Sequence, residues 1–175
     1  MRLLASSIPL LLYNMDSVVK MGFSPVFDEH SEILVLGSFP SVKSREISFY
    51  YGNKQNRFWR TVCSFFGEEV PSSVEEKREF LLRRKIALWD MVTECEITGS
   101  ADLSIKNPKT ADLSKIFASC RLKKILLNGT LAYDLFVKSY ANCGIPYVKM
   151  TSTSPANPRF SKESWWEELA CLTTN

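Results

Sequence analysis

Four short runs of apolar, mostly branched residues punctuate this sequence, and stretches with helical character lie between them. The runs cover residues 32–38, 86–92, 123–129 and 147–154. Short apolar runs that alternate with helices are typical of strands buried on both faces of a parallel sheet. The pattern therefore predicts an α/β fold with three layers, αβα, around a central four-stranded, mainly parallel sheet.

Five stretches have the periodicity or the capping residues of helices. Residues 56–66 place five large apolar side chains on one helical face. Residues 72–85 begin with Ser and Glu at capping-box spacing, and end with basic residues near the negative end of the helix. The other helices are predicted at residues 110–120, 130–140 and 162–172.

Length and composition predict one domain. The chain has 175 residues, of which 45% are hydrophobic, and it can bury a core without disulfide or metal cross-links. We expect residues 21–175 to form this domain, because no repeat, linker or low-complexity tract divides them. Residues 1–20 superficially resemble a signal peptide, but the apolar run is too short to span a membrane and no clear small-residue cleavage site follows it. We interpret them as a non-catalytic extension or a misassigned start codon.

Cysteine and histidine usage argues against several kinds of site. The five cysteines are odd in number and never spaced as Cys-x-x-Cys, so neither a zinc site nor a disulfide framework is expected. They fit free thiols in a reducing cytoplasm, and we expect no metal or cofactor. The single histidine, His30, lies before the first predicted strand, which disfavours Cys/His catalysis. A net charge of +3 permits a polyanionic partner without requiring one.

Polar residues follow all four predicted strands. They are Ser38 and Ser41 after the first, Asp90 near the end of the second, Asn128 at the end of the third, and residues 152–157 after the fourth. Ligands of open parallel sheets bind beyond the carboxyl ends of the strands, so these residues are expected to line one pocket. Amides, hydroxyls, carboxylates and nearby aromatic residues suit a planar, hydrogen-bonding base.

Four segments carry a resemblance to a known family: GSFPS at residues 37–41, YYGNKQNRFW at 50–59, LLNG at 126–129 and STSPAN at 152–157. In this order and spacing, the chain resembles the uracil-DNA glycosylase superfamily, and most of all its hypoxanthine-DNA glycosylase branch. GSFPS and LLNG are weak signals alone, whereas YYG-x-x-x-NRFW together with STSPAN is specific. The likeness covers about residues 22–172. It implies a monofunctional DNA glycosylase of base excision repair, acting as a monomer on double-stranded DNA that contains a deaminated base, hypoxanthine above all.

The resemblance implies roles for individual residues. Most members hold a water-positioning Asn or Asp after the first strand, where this chain has Phe39; in the hypoxanthine branch this role passes to the Asn of NRFW, which is Asn56. Tyr51 matches the aromatic residue that stacks on the extruded base, and Asn128 matches the Asn that reads its edge. Ser38 is a second candidate for catalysis, and Phe39 is a candidate for base contact.

The same resemblance places DNA contacts and a mechanism. Ser154 and Pro155 lie in the loop that presses on the DNA strand, and Ser41 is a further candidate for DNA contact. The Asn128 amide can donate to the purine O6 and accept from N1–H, which stabilises the departing base. Asn56 can orient water but is no strong base, so a dissociative mechanism is expected. No lysine lies at a strand exit within the motifs, which disfavours a Schiff-base lyase.

Each assignment has a structural alternative. Asn56 can cap the following helix, and Asn128 can end a strand before the next helix. Asp90 and Asp102 can accept backbone N–H groups at strand ends, which we take as their more natural interpretation. Two rival functions also remain. One is a mismatch-specific uracil or thymine glycosylase of the same superfamily, which the NRFW match favours and Phe39 disfavours; the other is a non-catalytic nucleic-acid-binding domain of this fold.

Overall fold

The computed structural model describes residues 19–173 as one α/β arrangement of seven strands and six helices. The strands are β1 (Val19–Met21), β2 (Ile33–Gly37), β3 (Ile86–Asp90), β4 (Val92–Glu96), β5 (Lys106–Thr110), β6 (Lys124–Asn128) and β7 (Tyr147–Met150). The helices are α1 (Val42–Glu46), α2 (Phe58–Phe65), α3 (Val74–Arg83), α4 (Ser114–Ser119), α5 (Thr130–Tyr140) and α6 (Lys162–Leu169). Short 3₁₀ turns cover Asp102–Ser104 and Ala170–Leu172.

The central sheet has the strand order β3-β2-β6-β7, and its neighbouring strands are all parallel. This confirms the predicted four-stranded sheet. The register sets Gly37 beside Asp90, and Asn128 beside Met150. The carboxyl ends of the four strands therefore meet at one edge, where the polar exit segments begin.

Helices cover both faces of this sheet, as the three-layer prediction requires. On one face, Val35 and Leu88 pack with Phe58, Phe80 and Trp165 of α2, α3 and α6. On the other face, the alternate strand residues pack against α4 and α5. The β2 side chains from Ile33 to Leu36 are completely buried, because a parallel strand between two helical layers has no solvent-exposed face.

A second sheet, which the apolar pattern does not predict, lies outside this core. It has the order β1-β4-β5, and its strands pair antiparallel. β5 has the sequence KNPKT and is exposed at every residue, so it lacks the apolar run by which a buried strand is recognised. The predicted helix at 110–120 is corrected here: Thr110 ends β5, and α4 begins at Ser114, whose N–H is accepted by Asp112 Oδ1 at 3.0 Å.

The other predicted elements differ from the structure mainly at their ends. The predicted helix at 72–85 is α3, with Ser73 and Glu76 forming the capping box. The strand predicted to reach residue 154 ends at Met150, and the helix predicted to reach residue 172 becomes a 3₁₀ turn after Leu169. Val19 and Lys20, which we assigned to the N-terminal extension, pair with β4. The rest of that extension, residues 1–18, lies outside the described residues.

Candidate active site

A cleft of about 630 Å³ opens at the carboxyl ends of the parallel strands. This volume is in the usual range for small-molecule sites. All eight residues that the sequence nominated line it: Ser38, Phe39, Ser41, Tyr51, Asn56, Asn128, Ser154 and Pro155. The fold therefore brings together segments that lie far apart in the sequence, while the chemical roles of these residues stay predictions.

Tyr51 presents an aromatic ring to the cleft from a fixed position. Phe58 of α2 stacks on this ring with centroids 4.2 Å apart and an interplanar angle of 30°. Tyr51 lines the cleft and Phe58 does not, so one ring face is held by the core while the side chain remains available to a ligand. Tyr51 has a φ of +53°, a left-handed conformation unusual for a bulky residue. Such strain persists where the surroundings hold it, and it is common at ligand sites.

The amide of Asn128 is buried and engaged within the protein. Its Nδ2 donates to the Tyr51 hydroxyl and to Thr153 Oγ1, both at 2.9 Å. Its Oδ1 accepts the backbone N–H of Thr153 at 3.0 Å. Both amide hydrogens are therefore used, and Asn128 can donate to a base only by releasing one of these partners.

Asn56 lies at the start of α2. The sequence left open whether it supports the helix start or faces a ligand, and its position allows both. Its Oδ1 accepts the N–H of Phe58 at 2.9 Å, so it satisfies a backbone donor of the first helical turn. Its side-chain nitrogen forms no hydrogen bond within residues 19–173, and the residue lines the cleft. The amide thus stabilises the helix start and still has a free polar group for a ligand or water.

The segment after β2 is held from two sides. Ser38 Oγ donates to Asp102 Oδ1 at 2.8 Å, and Ser41 caps α1 by accepting the Ser44 N–H. Arg45 donates to the Pro40 carbonyl at 2.6 Å and to the Gly99 carbonyl at 3.1 Å. Its guanidinium also lies 5.7 Å from the centre of the Phe39 ring. These contacts hold the segment after β2 against the loop that contains Gly99 and Asp102, so two loops together form this wall of the cleft.

Arg57 holds the STSPAN loop against the NRFW segment. Its guanidinium donates to the carbonyls of Asn157 at 2.9 Å and Pro155 at 3.3 Å, and its backbone N–H donates to the Thr153 carbonyl at 3.0 Å. The guanidinium also lies 4.9 Å from the centre of the Phe160 ring. The two most specific motifs of the sequence are therefore one connected structural unit, and Pro155 is exposed at its surface.

Two carboxyl groups also line the cleft. Asp90, at the end of β3, is 4% exposed, and its Oδ2 has no hydrogen-bond partner among the described residues. Burial, with a contribution from the negative charge of Asp102, raises the pKa of Asp90 to about 7. Partial loss of water at the cleft raises the pKa of Asp102, although the residue as a whole is exposed, and the hydrogen bond from Ser38 opposes this rise. The same environment raises the pKa of the Tyr51 phenol, chiefly by burial.

Metal-binding groups and basic residues complete the description of the site. Within residues 19–173, no three His, Cys, Asp or Glu side chains are grouped as metal ligands. Lys43 of α1 lines the cleft, which the motifs do not indicate, and its ammonium pairs with Glu46 at 2.9 Å. Across the same described range, none of the helices combines the length and apolar character that crossing a membrane requires.

Several site residues were missed or given another role from the sequence. Arg57 lies inside the NRFW motif, so the motif itself indicated that this residue lies near the site. Arg45 carried no signal, because its partners Pro40 and Gly99 are joined to it only by the fold. Asp90 and Asp102 were seen but interpreted as backbone acceptors, whereas neither carboxyl accepts a backbone N–H in the described structure.

The chain is similar to proteins of known family. It is 37% identical over 156 residues to a hypoxanthine DNA glycosylase of Methanosarcina acetivorans, an alignment that covers 87% of this chain and 98% of that protein. It is 36% identical over 155 residues to a hypoxanthine DNA glycosylase of Methanosarcina barkeri, covering 85% and 96%. No protein-family model matches the chain.

The fold comparison agrees. A solution NMR structure from Methanosarcina acetivorans, described as a candidate uracil DNA glycosylase, superposes with a TM-score of 0.79 at 35% identity. The match covers 90% of this chain and all of that one. A DNA glycosylase acts on DNA and hydrolyses N-glycosidic bonds. By the extent of its similarity to these relatives, the chain belongs to the hypoxanthine DNA glycosylase family of the uracil-DNA glycosylase superfamily.

Proposed function

We propose that this glycosylase releases hypoxanthine from deoxyinosine in double-stranded DNA, by hydrolysis and without a lyase step. The observation that carries the proposal is the cleft, in which a supported aromatic ring faces amide, hydroxyl and carboxyl groups at the ends of the parallel strands. The name of both curated relatives supports hypoxanthine as the base. The volume of about 630 Å³ leaves room for a purine with its deoxyribose.

In this proposal the extruded base stacks on Tyr51, whose other face rests on Phe58. Phe39, held by Arg45, contacts the base from the β2 exit segment. Asn128 defines the base-binding end of the cleft by holding both the Tyr51 hydroxyl and the Thr153 backbone. A rigid stacking surface matters because unstacking a base from duplex DNA costs a few kcal/mol, about the amount that stacking on an aromatic residue returns.

Hydrolysis then requires a held water near the anomeric carbon. Asn56 has a side-chain nitrogen and a second carbonyl lone pair available for this water, and Ser38 is the neighbouring hydroxyl on the β2 exit segment. Neither group is a strong base at neutral pH. The bond to the base therefore breaks ahead of water attack, and stabilisation of the departing base supplies most of the rate enhancement.

DNA contact is proposed for the two loops that border the cleft. Ser154 and Pro155 belong to the loop that Arg57 holds, so pressure on the DNA strand is transmitted to a fixed structure. Ser41 lies at the start of α1 on the other loop. We further propose that the protein acts as a monomer in the cytoplasm, where a reducing environment suits its free cysteines.

A base-release panel tests the function. Duplexes carrying hypoxanthine, uracil, xanthine or a mismatched thymine are incubated with the protein, and abasic sites are cleaved with alkali. Preferential release of hypoxanthine supports the proposal. Preferential release of uracil supports the second candidate, which the description of the solved relative favours. Binding to damaged duplex without release over many hours identifies a non-catalytic domain.

A trapping experiment tests the absence of a lyase step. Lys43 lines the cleft, but its ammonium is paired with Glu46 and its side chain is 64% exposed, so it lacks the apolar surroundings of a Schiff-base lysine. Borohydride added during turnover is expected to leave no covalent protein–DNA adduct. An adduct that disappears in a Lys43→Ala variant would contradict the monofunctional assignment.

A further inference from the structure

Leu103, in the 3₁₀ turn Asp102–Ser104, is exposed to solvent over its whole side chain. Its relative exposure is 102%, whereas the other exposed large apolar residues between positions 19 and 173 keep between 37% and 63% of their surface in water. A single exposed leucine is common at protein surfaces and needs no special explanation by itself. What gives this one a function is its position and the way in which the turn is held.

The turn belongs to the connection between β4 and β5, residues 97–105, and this connection borders the cleft. The three residues that precede Leu103 all line the cleft: Ser100, Ala101 and Asp102. Ile105, which follows the turn, packs with Phe39 against the small buried cluster of the second sheet. Leu103 therefore lies at the rim of the cleft, directly beside its wall, with its side chain in solvent.

The connection is held in place by hydrogen bonds on both sides of Leu103. Three of them join it to the segment after β2 and to α1: Ser38 donates to Asp102 Oδ1 at 2.8 Å, the Val42 N–H donates to Ser100 Oγ at 2.8 Å, and Arg45 donates to the Gly99 carbonyl at 3.1 Å. Within the connection, Ser104 Oγ lies 2.7 Å from the Ala101 carbonyl and 2.8 Å from the Thr98 carbonyl. An apolar group on such a fixed turn loses little conformational freedom when it binds.

A duplex from which one nucleotide has been extruded offers a site for such a group. Extrusion breaks the stacking of the damaged base on its neighbours, and the exposed faces of those neighbours are apolar. Proteins that unstack DNA insert apolar side chains, leucine among them, between the bases. The other loop at the cleft rim, residues 152–157, contains only Ser, Thr, Pro, Ala and Asn, so it has no long aliphatic side chain. Leu103 supplies the long aliphatic group that this loop lacks.

We propose that Leu103 is a wedge that enters the base stack at the position which the damaged nucleotide leaves. There it packs against the neighbouring bases and blocks return of the nucleotide, which stays in the cleft for hydrolysis. Burial of the leucine against the base faces removes apolar surface of both partners from water, which offsets part of the cost of unstacking. The proposal rests on the function proposed above, because it requires a duplex whose damaged nucleotide is extruded into the cleft.

The first test compares single-turnover base release from two substrates. One is a duplex with hypoxanthine opposite thymine, and the other carries the same hypoxanthine inside an unpaired bubble. Leu103→Ala is expected to slow release from the duplex about 10- to 100-fold, as loss of most of a buried leucine side chain predicts. Release from the bubble should stay within about threefold of wild type, because that base is already unpaired. Leu103→Met keeps a long apolar side chain and should retain most of the duplex rate.

Val70→Ala is the matched control. Val70 is 41% exposed and lies two residues from Glu68, which pairs with Arg83 at the end of α3. That end of α3 precedes β3, so Val70 lies toward the edge of the sheet opposite the cleft. This variant should release the base at the wild-type rate from both substrates. Thermal unfolding of every variant identifies any loss of rate that comes from misfolding.

The second test follows extrusion without hydrolysis. 2-Aminopurine replaces the base on the 3′ side of the lesion, and its fluorescence rises when it loses its stacked neighbour. Wild-type protein should raise the fluorescence on binding, and saturating Leu103→Ala should raise it less, because fewer nucleotides remain extruded.

Four outcomes would overturn the proposal. They are a duplex rate within threefold of wild type in folded Leu103→Ala, an equal loss on duplex and bubble, a Leu103→Met rate no higher than that of Leu103→Ala, or an equal fluorescence rise in wild type and Leu103→Ala. Failure of the hypoxanthine assignment is distinguishable, because it appears as a preference of the wild-type protein for another base, and the series is then run on that base. If wild type releases no base at all, the fluorescence comparison alone decides.

Discussion

Removing the Asn128 side chain is expected to destabilise the protein, because this amide connects three parts of the cleft. It bonds to the Tyr51 hydroxyl, to Thr153 Oγ1 and to the Thr153 N–H, and both Asn128 and Thr153 are buried. A typical intramolecular hydrogen bond contributes about 1 kcal/mol, and a buried N–H left unpaired costs about 1–3 kcal/mol. Asn128→Ala should therefore lower the free energy of unfolding by about 3 kcal/mol.

Thermal and urea unfolding measure this loss. For a chain of this size, each kcal/mol shifts Tm by about 2–4 °C, so a decrease of about 6–12 °C is expected. Base release should fall as well, since Tyr51 and the loop after β7 lose their shared anchor. The destabilisation is what distinguishes an anchoring amide from one that acts on the base alone.

Two milder variants divide the effect. Thr153→Val keeps the backbone N–H bond and removes the hydroxyl, and Tyr51→Phe keeps the ring and removes its hydroxyl; each should cost about 1 kcal/mol. An Asn128→Ala protein with unchanged Tm and a 100-fold slower base release would refute the anchoring role. That result would return Asn128 to direct contact with the base.

The remaining predictions concern the helix start, the stacking ring and metal dependence. Asn56→Ala should lower the free energy of unfolding by about 1 kcal/mol and remove most base release. Asn56→Ser should keep the helix cap yet still lose activity. Full activity in a folded Asn56→Ser protein, with DNA affinity measured alongside, would remove Asn56 from catalysis. Tyr51→Leu should slow base release about 10- to 100-fold by losing one stacking contact, while Tyr51→Phe, its matched control, should retain most of the rate; equal rates in both would contradict stacking. Chelators should leave base release intact, because the His, Cys and carboxylate residues lack metal-ligand spacing in the sequence, and activity lost in EDTA and restored by a divalent ion would contradict this.

The sequence alone determined the central sheet and the segments of the cleft. The parallel strands were predicted because three of them, β2, β3 and β6, are almost entirely buried, and such a strand has an apolar run that is visible locally. The edge strand β7 is only partly buried, and its run is correspondingly weaker. The polar segments after these strands were also visible in the sequence, because polar residues abruptly replace apolar ones where each run ends. All eight nominated residues line one cleft because the carboxyl ends of parallel strands share one edge.

The second sheet was decided by tertiary contacts. β5 is exposed and polar and contains Pro108, so its residues have no pattern that favours a strand; pairing with β4 alone makes it one. The same pairing presents the 3₁₀ turn of Asp102 to the cleft, where Ser38 donates to it. Asp102 thereby becomes part of the site, although it lies 64 positions from Ser38 in the sequence.

The chemical state of the site was also decided by tertiary structure. Asn128 and Asp90 both follow a parallel strand, and the sequence favoured the amide as the group that reads the base. In the folded chain the amide is held by Tyr51 and Thr153, while the Asp90 carboxyl is buried beside Gly37 and its Oδ2 has no hydrogen-bond partner among residues 19–173. Whether a polar group is available depends on its solvation and on the groups that reach it from other elements. Those quantities arise from packing between distant segments, so residue type and spacing do not determine them.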